Sequence, residues 1–479
     1  MSSRFATPVG NPSLRTKLFY GFGSVAFGVK DNGFGFLLLL YYNQVLRLPE
    51  RWVGLGIMIA LMVDALLDPV VGYLSDHLHS RWGRRHPFMY ASAVPVALAY
   101  YLLWTPPAGL SPRELFAYFV VIAILVRTFI AFYEIPSSSL AAELTDQYDE
   151  RTSILSYRYF FGWWGGLTMA VLAFAVFLQP DATHSVGVLN PDGYRRYGLA
   201  ASVLMAIAIL TSALGTHEHI PHLRRPPAKR SLGIHGILRE ARESLSNRSF
   251  LALFGAAFFS AMAAGLTAAL SVYFNTFFWE LTSSQISLLT LASFPSAAAA
   301  LAIAPGLSAR FGGKKPAAIR TAITACVLGP AGIILRLLGL FPSNHSPALL
   351  PVLLVATSIV VTLIILSSIL VASMVADVVE DSELTTGRRS EGLFFAANSF
   401  IQKSVSGVGI FCSTLLLSAI GFPQGAKPGE VDPTVVRNLG LVFIPVLVVL
   451  YTGTLAFLSA YRISRATHEA NLERLAARK

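Results

Sequence analysis

Charge is the scarce ingredient of this chain. Of its 479 residues, 13% are Asp, Glu, Lys or Arg, while 54% are hydrophobic. An ordinary soluble domain carries about 25% charged residues, so the deficit argues against a solvated globular protein. Cysteine is nearly missing too. Cys326 and Cys412 are the two present, both in apolar stretches; no disulfide framework is implied, and they read as buried, apolar-like thiols. The chain also lacks a Gly-rich phosphate loop of the Walker type and any paired zinc-ligand motif. Nucleotide hydrolysis within the chain is thereby removed as an energy source, and no cofactor or metal is expected. The ten histidines are expected in loops or tails. His217, His219 and His222 have a spacing that could hold a metal, but on a polar loop they read as a solvated face.

Long apolar runs are abundant. Stretches of about 20 residues or more, the length that crosses a bilayer as a helix, recur throughout. They predict twelve helices at 18–46, 52–76, 88–105, 115–140, 152–178, 198–215, 250–278, 284–308, 317–340, 347–376, 392–421 and 437–461. The fold class is therefore an all-α membrane protein, since lipid offers a backbone no hydrogen-bond partner. Residues 1–17 are polar, with Arg4, Arg15 and Lys17, and read as a cytoplasmic terminus and not a signal peptide. The net charge of +11 could suggest nucleic acid, but its distribution points elsewhere. Arg81, Arg84 and Arg85, the run from Arg224 to Arg248, and Arg478 with Lys479 all fall on one side of the predicted helices. This positive-inside bias puts both termini in the cytoplasm. Membrane lipid is the expected surrounding, and nucleic acid is not an expected partner.

The longest polar segment divides six helices from six. The expected organisation is a first half at 1–215, a cytoplasmic linker at 216–249, a second half at 250–463 and a basic tail at 464–479. The linker holds an amphipathic stretch (Ile237, Leu238, Ala241, Leu245) able to lie on a membrane surface. The halves echo each other. Gly72 and Asp76 followed by Arg81, Arg84 and Arg85 join helices 2 and 3; Gly306 and Arg310 followed by Lys314 and Lys315 join helices 8 and 9. The 4–5 loop (Glu143, Asp146, Asp149, Glu150, Arg151) matches the 10–11 loop (Asp377, Glu380, Asp381, Glu383, Arg388, Arg389). Such repetition is characteristic of transporters whose site lies between two halves. These loops resemble the major facilitator superfamily, which implies its fold of two six-helix halves. Asp76, Arg84, Arg85, Glu143, Arg151 and Asp377 are expected to form a cytoplasmic gate, paired across the halves and broken on opening. The plain alternative is topology-setting charge with helix caps.

Eight charged residues fall deep in the predicted spans: Lys30, Asp31, Asp64, Asp68, Arg127, Glu134, Arg158 and Lys403. Charges there are expensive unless paired or wet, and mark function by default. Asp64 and Asp68 are four apart, so both face one side of helix 2, and their repulsion favours taking up a proton or cation. Pro69 frees the Ala65 carbonyl beside them, and Pro136 that of Phe132 near Glu134. Glu134 reads as a substrate group or as the partner of Arg127, Arg158 or Lys30. Arg127 reads as a structural counter-charge or as a residue near a water-filled path, and its role stays open. Lys30 and Asp31 are adjacent and diverge by about 100°, so one can face a cavity while the other bridges to helix 2 or 4. Lys403 is the lone member from the second half.

Together these motifs resemble the glycoside–pentoside–hexuronide:cation symporters, the branch that includes the melibiose permeases. The likeness rests on Gly28 to Asp31, Asp64 to Pro69, Glu134 to Pro136, Glu150 with Arg151, Tyr157 with Arg158, Asp377 and Lys403. It implies cation-coupled symport of a sugar or glycoside by a monomer in a bacterial inner membrane, with no enzyme activity. It assigns Asp31, Glu134 and Arg158 to sugar hydroxyls, with Lys30 and Lys403 in support, and Asp64 and Asp68 to the cation.

Three departures bear on the details. Sodium-using members have an Asn where Leu67 stands and a Thr where Ala131 stands; losing both neutral ligands favours a proton over sodium. A sugar-stacking Trp expected four residues after the helix 4 acid is Ser138, so stacking is expected from Tyr133, Tyr157, Trp163 or Trp164. The run from Ser80 to Pro87 is similar to proton-coupled sucrose carriers. The alternatives are sodium-coupled sugar symport, an amphiphile symporter of the related lysolipid-carrier type, and a membrane-embedded enzyme or sensor. Lysolipid carriers share the helix 2 acids and helix 11 lysine but lack counterparts of Lys30, Asp31 and Glu134.

Overall fold

The computed structural model describes residues 12–145, 148–223, 248–386, 391–463 and 465–476. Within them all regular structure is helical, in twelve rods and a short tail helix. The first rod, α1, is a chain of segments: Leu14–Phe22, Val25–Asn32, Gly33–Leu37, Leu38–Leu40 and Tyr41–Val45. The others are α2 (Glu50–His77), α3 (His86–Leu103), α4 (Pro112–Leu144), α5 (Tyr148–Leu172), α6 (Pro191–Gly215), α7 (Arg248–Tyr273), α8 (Ser283–Leu291 continued by Ser293–Arg310), α9 (Lys314–Leu337), α10 (Leu349–Thr386), α11 (Glu391–Ala419) and α12 (Pro433–Ser459), with the tail helix α13 (Arg465–Ala476). Ten candidate spans among the described residues are long and apolar enough to cross a membrane; the interrupted α1 and the 18-residue α3 complete the set. The predicted amphipathic stretch 237–245 lies outside the described residues.

Both halves are built alike, beyond what the loops suggested. α1 ends in a wide turn, with Leu46 N–H donating to Tyr41 O five residues back, followed by Arg47 at φ 59. α7 ends the same way: Trp279 N–H donates to Phe274 O, and Glu280 has φ 52. Glycine governs the equivalent helix pairs. A Cβ on Gly28 would collide with the Gly162 carbonyl, and one on Gly265 with the Ser406 carbonyl. Backbone contact of this closeness needs small residues, as is usual between membrane helices. It draws α1 onto α5 and α7 onto α11.

The end of the bundle that carries Arg84, Arg85, Lys314 and Lys315 is here called the basic end. At the opposite, far end, the first half is stiffened by buried aromatics whose hydroxyls are all used. Tyr41 donates to Trp104 O (3.0 Å), Tyr42 to Leu103 O (2.8 Å) and Tyr194 to Val188 O (2.8 Å). The halves meet along α2 and α11, α1 and α7, and α5 and α8. Polar contacts seal them at the far end. Tyr273 OH donates to Asn43 Oδ1 (2.6 Å), Gln44 Nε2 to Pro423 O (3.2 Å), Ala426 N–H to Gln44 Oε1 (3.1 Å) and Arg51 Nε to Ser418 Oγ (2.7 Å).

Two expectations are corrected by this packing. His77 and His86 belong to helices and not to loops, and His86 is fully buried at the start of α3, with Nε2 3.0 Å from Thr216 Oγ1. Cys326 and Cys412 are free thiols and only partly buried.

Candidate substrate and cation site

The close contact of Gly28 with Gly162 sets the site's first wall, because Lys30 lies two residues beyond the one and Arg158 one turn before the other. The divergence of Lys30 and Asp31 around α1 resolves into opposite environments. The Lys30 side chain is 1% exposed and that of Asp31 56%, so Asp31 opens to accessible space. Lys30 Nζ is 2.9 Å from Asp31 Oδ1 and 3.6 Å from Glu134 Oε2, which ties α1 to α4 and selects one of the three bases weighed for Glu134.

A second set surrounds the helix 2 acids. Asp64 is buried and held from two sides: Arg127 Nη1 donates to its Oδ2 at 2.8 Å, and Lys403 Nζ is 3.3 Å from the same oxygen. Lys403 also reaches Asp68 Oδ2 at 2.6 Å. The other oxygen of that carboxylate, Asp68 Oδ1, is buried with no hydrogen-bond partner. Arg127 Nη2 lies 4.0 Å from Asp31 Oδ1 and joins the two sets, while its guanidinium rests 4.6 Å from the Phe34 ring centroid. Arg127 is thus a central counter-charge, its place set by α2 and not by Glu134 on its own helix.

Arg158 is different in kind. Its Nη1 donates to Ser137 Oγ (2.7 Å), its Nη2 to the Glu134 carbonyl (3.3 Å), and it stacks 4.8 Å from the Phe27 centroid. Among the described residues no carboxylate lies within 4.0 Å of it. A guanidinium held by neutral acceptors keeps charge to offer to a ligand. The four acids and four bases cancel if all are ionised.

The aromatic candidates separate as well. Tyr133 is fully buried, and its hydroxyl packs against Gly23 and Ser212, so it lines no open space. Trp163 and Trp164 are exposed, Trp164 stacking on Phe160 at 5.1 Å and meeting Phe294 of α8 at 4.6 Å. Trp164 therefore stands where the halves face each other.

A sequence profile described as MFS/sugar transport protein matches residues 19–465. The chain belongs to that family. It is accordingly a multi-pass membrane transporter of the major facilitator fold and not an enzyme, which bears out the likeness to the glycoside symporters. An uncharacterised symporter of Synechocystis is 28% identical, with 97% of this chain and 96% of the relative covered. A putative glycoside/cation symporter of Escherichia coli is 23% identical over 96% and 94%. Among solved structures, a D-xylose-proton symporter superposes with a TM-score of 0.63 at 14% identity, over 95% of this chain and 98% of that one; this likeness concerns the fold.

In this transporter the residues expected to gate the cytoplasmic side form the following pairs among the described residues. Arg85 Nη2 is 2.5 Å and Arg84 Nη1 4.0 Å from Asp76 Oδ1, while both arginines hold Glu143 at 2.8 and 3.0 Å. Lys314 holds Asp377 at 2.5 Å. These described pairs each lie within one half, where α2 and α3 both pack on α4 and α9 packs on α10. The expected cross-half pairs are not among the described ion pairs. The side chain of Arg151 lies outside the described residues, as do Asp146, Asp149 and Arg388. His217 and His219 are engaged with Tyr90 OH (2.8 Å) and Thr16 Oγ1 (3.1 Å).

Proposed function

We propose that the chain couples proton entry to import of a sugar or glycoside by alternating access, as a monomer in a bacterial inner membrane with both termini in the cytoplasm. The observation that supports this most is the position of Lys403, a cation of the second half lying between Asp64 and Asp68 of the first. A proton placed on Asp68, whose Oδ1 has no other partner, would remove one side of that bridge and leave the set with one positive charge in excess. The halves are then less strongly held at mid-membrane, so protonation and movement are linked through a single contact. Asp31 and Glu134 offer acceptors and Arg158 and Lys30 offer donors, the combination that polyhydroxylated ligands need. Sodium is disfavoured because Leu67 and Ala131 supply no side-chain oxygen beside the acids, and a hard cation wants several oxygens. An amphiphile is a second reading, favoured only by an apolar groove in the second half; none of the eight central charges lines it.

The test is uptake of labelled mono- and disaccharides into vesicles under separately imposed pH and sodium gradients. A pH gradient is expected to drive accumulation; stimulation by sodium alone overturns the proton assignment. Asp68→Asn is expected to abolish uphill accumulation while keeping exchange. If Asp31→Asn and Glu134→Gln bind substrate normally, the sugar site is elsewhere.

A further inference from the structure

We propose that a groove on the outer flank of the second half binds one anionic phospholipid from the leaflet at the basic end. α8 and α9 both pack on α10 but scarcely on each other, which leaves a trough between them with α10 as its floor. The opposite side of α8 carries Phe294, which meets Trp164 of the first half, so the trough faces away from the central site. It encloses about 590 Å³. Ile303 and Leu307 of α8 and Ile359, Leu363 and Leu366 of α10 make its walls apolar.

Its two ends differ. Toward the far end it is closed by polar stitches between α8 and α10: Ser296 Oγ donates to Ser358 O (3.1 Å), and Thr362 Oγ1 to Ser296 O (3.4 Å). At the basic end stands Arg320, exposed, its guanidinium 4.2 Å from the Phe311 centroid and without an ion pair among the described residues. From Ser296 to Phe311 the trough runs roughly 22 Å at helical rise, more than the ~15 Å of one leaflet's hydrocarbon. Arg320 lies six residues into α9, roughly 9 Å from its start, a depth from which a long side chain reaches the headgroups.

A trough at this depth that opens sideways is filled by lipid, since nothing else is present there. The arginine decides which lipid. An unpaired guanidinium presents a fork of donors suited to phosphate, and basic pockets on the cytoplasmic side of membrane proteins take anionic headgroups. Arg310, exposed at the end of α8, adds positive charge, which disfavours a headgroup bearing its own ammonium.

Native mass spectrometry of the full chain, titrated with phosphatidylglycerol or phosphatidylcholine, tests this. One tight adduct is expected, with phosphatidylglycerol favoured roughly fivefold, the contribution of one basic residue near the surface. Arg320→Gln should remove most of the preference, leaving the small part owed to Arg310, Arg320→Lys should keep most of it if the glutamine variant does not fold, and Ala299→Trp should remove the adduct by filling the trough. Equal binding by the unaltered chain, an unchanged preference in Arg320→Gln, or full displacement by glycerol 3-phosphate would each overturn the proposal.

Discussion

Arg127 illustrates how one buried residue takes its meaning from its neighbours. Its guanidinium and the Asp64 carboxylate lie 2.8 Å apart, both nearly inaccessible. Removing one partner of such a pair leaves a buried charge uncompensated, at about 3–5 kcal/mol. Arg127→Gln is therefore expected to lower Tm and yield sharply, and adding Asp64→Asn to recover most of the loss, because Lys403 still has Asp68. If the double variant melts as low as the single one, the pairing is not what stabilises this region. The identity of the charged residues was legible from the sequence, because intramembrane charge is rare enough to stand out. Who pairs with whom was not. Arg127 and Glu134 are seven residues apart on α4, yet their partners come from α2 and α1. Tyr133 looked like a sugar platform beside Glu134, but its side of the helix turns into the packed interior.

At the scale of elements, hydropathy located the spans well but misjudged their ends. α4 and α10 run to 112–144 and 349–386, longer than predicted. Helical hydrogen bonding continues through polar turns that a hydropathy window discounts. The wide turns of α1 and α7 were equally invisible, since they add a backbone residue without changing composition. Close helix contacts carry a definite consequence. Gly28→Val would drive a side chain into the Gly162 carbonyl and should cost roughly 1–3 kcal/mol of overpacking. It should weaken sugar binding too, by displacing Lys30 and Arg158 together. Gly265→Val meets the corresponding carbonyl in α11 and should lower Tm similarly, with less effect on affinity. Thermal melts alongside binding titrations separate the two; equal losses of affinity would mean that the α1–α5 contact does not position the site.

At the scale of the whole molecule, the halves are joined at the far end and at Lys403, while the described ion pairs of the basic end stay within each half. Transport by alternating access requires the far-end contacts to part. A Cβ on Gly54 would stand 3.0 Å from that of Thr414, close to the 3.5–4.5 Å of a disulfide. Gly54→Cys with Thr414→Cys, in a chain with Cys326 and Cys412 replaced by Ala, should cross-link on oxidation and stop uptake, and reduction should restore it. Undiminished uptake by the oxidised pair would show that α2 and α11 need not separate there.

By itself the sequence determined the class, the twelve spans, the two halves and the roster of central charges. All of these follow from local composition, because lipid forbids unpaired backbone and penalises charge wherever it falls. The pairing of that roster, the partners of Arg84, Arg85 and Lys314 at the basic end and the trough beside Arg320 were decided by tertiary structure. They depend on the rotation and contact of helices far apart in the chain. Glycine contacts and turn geometry set these relations, and hydropathy does not record them.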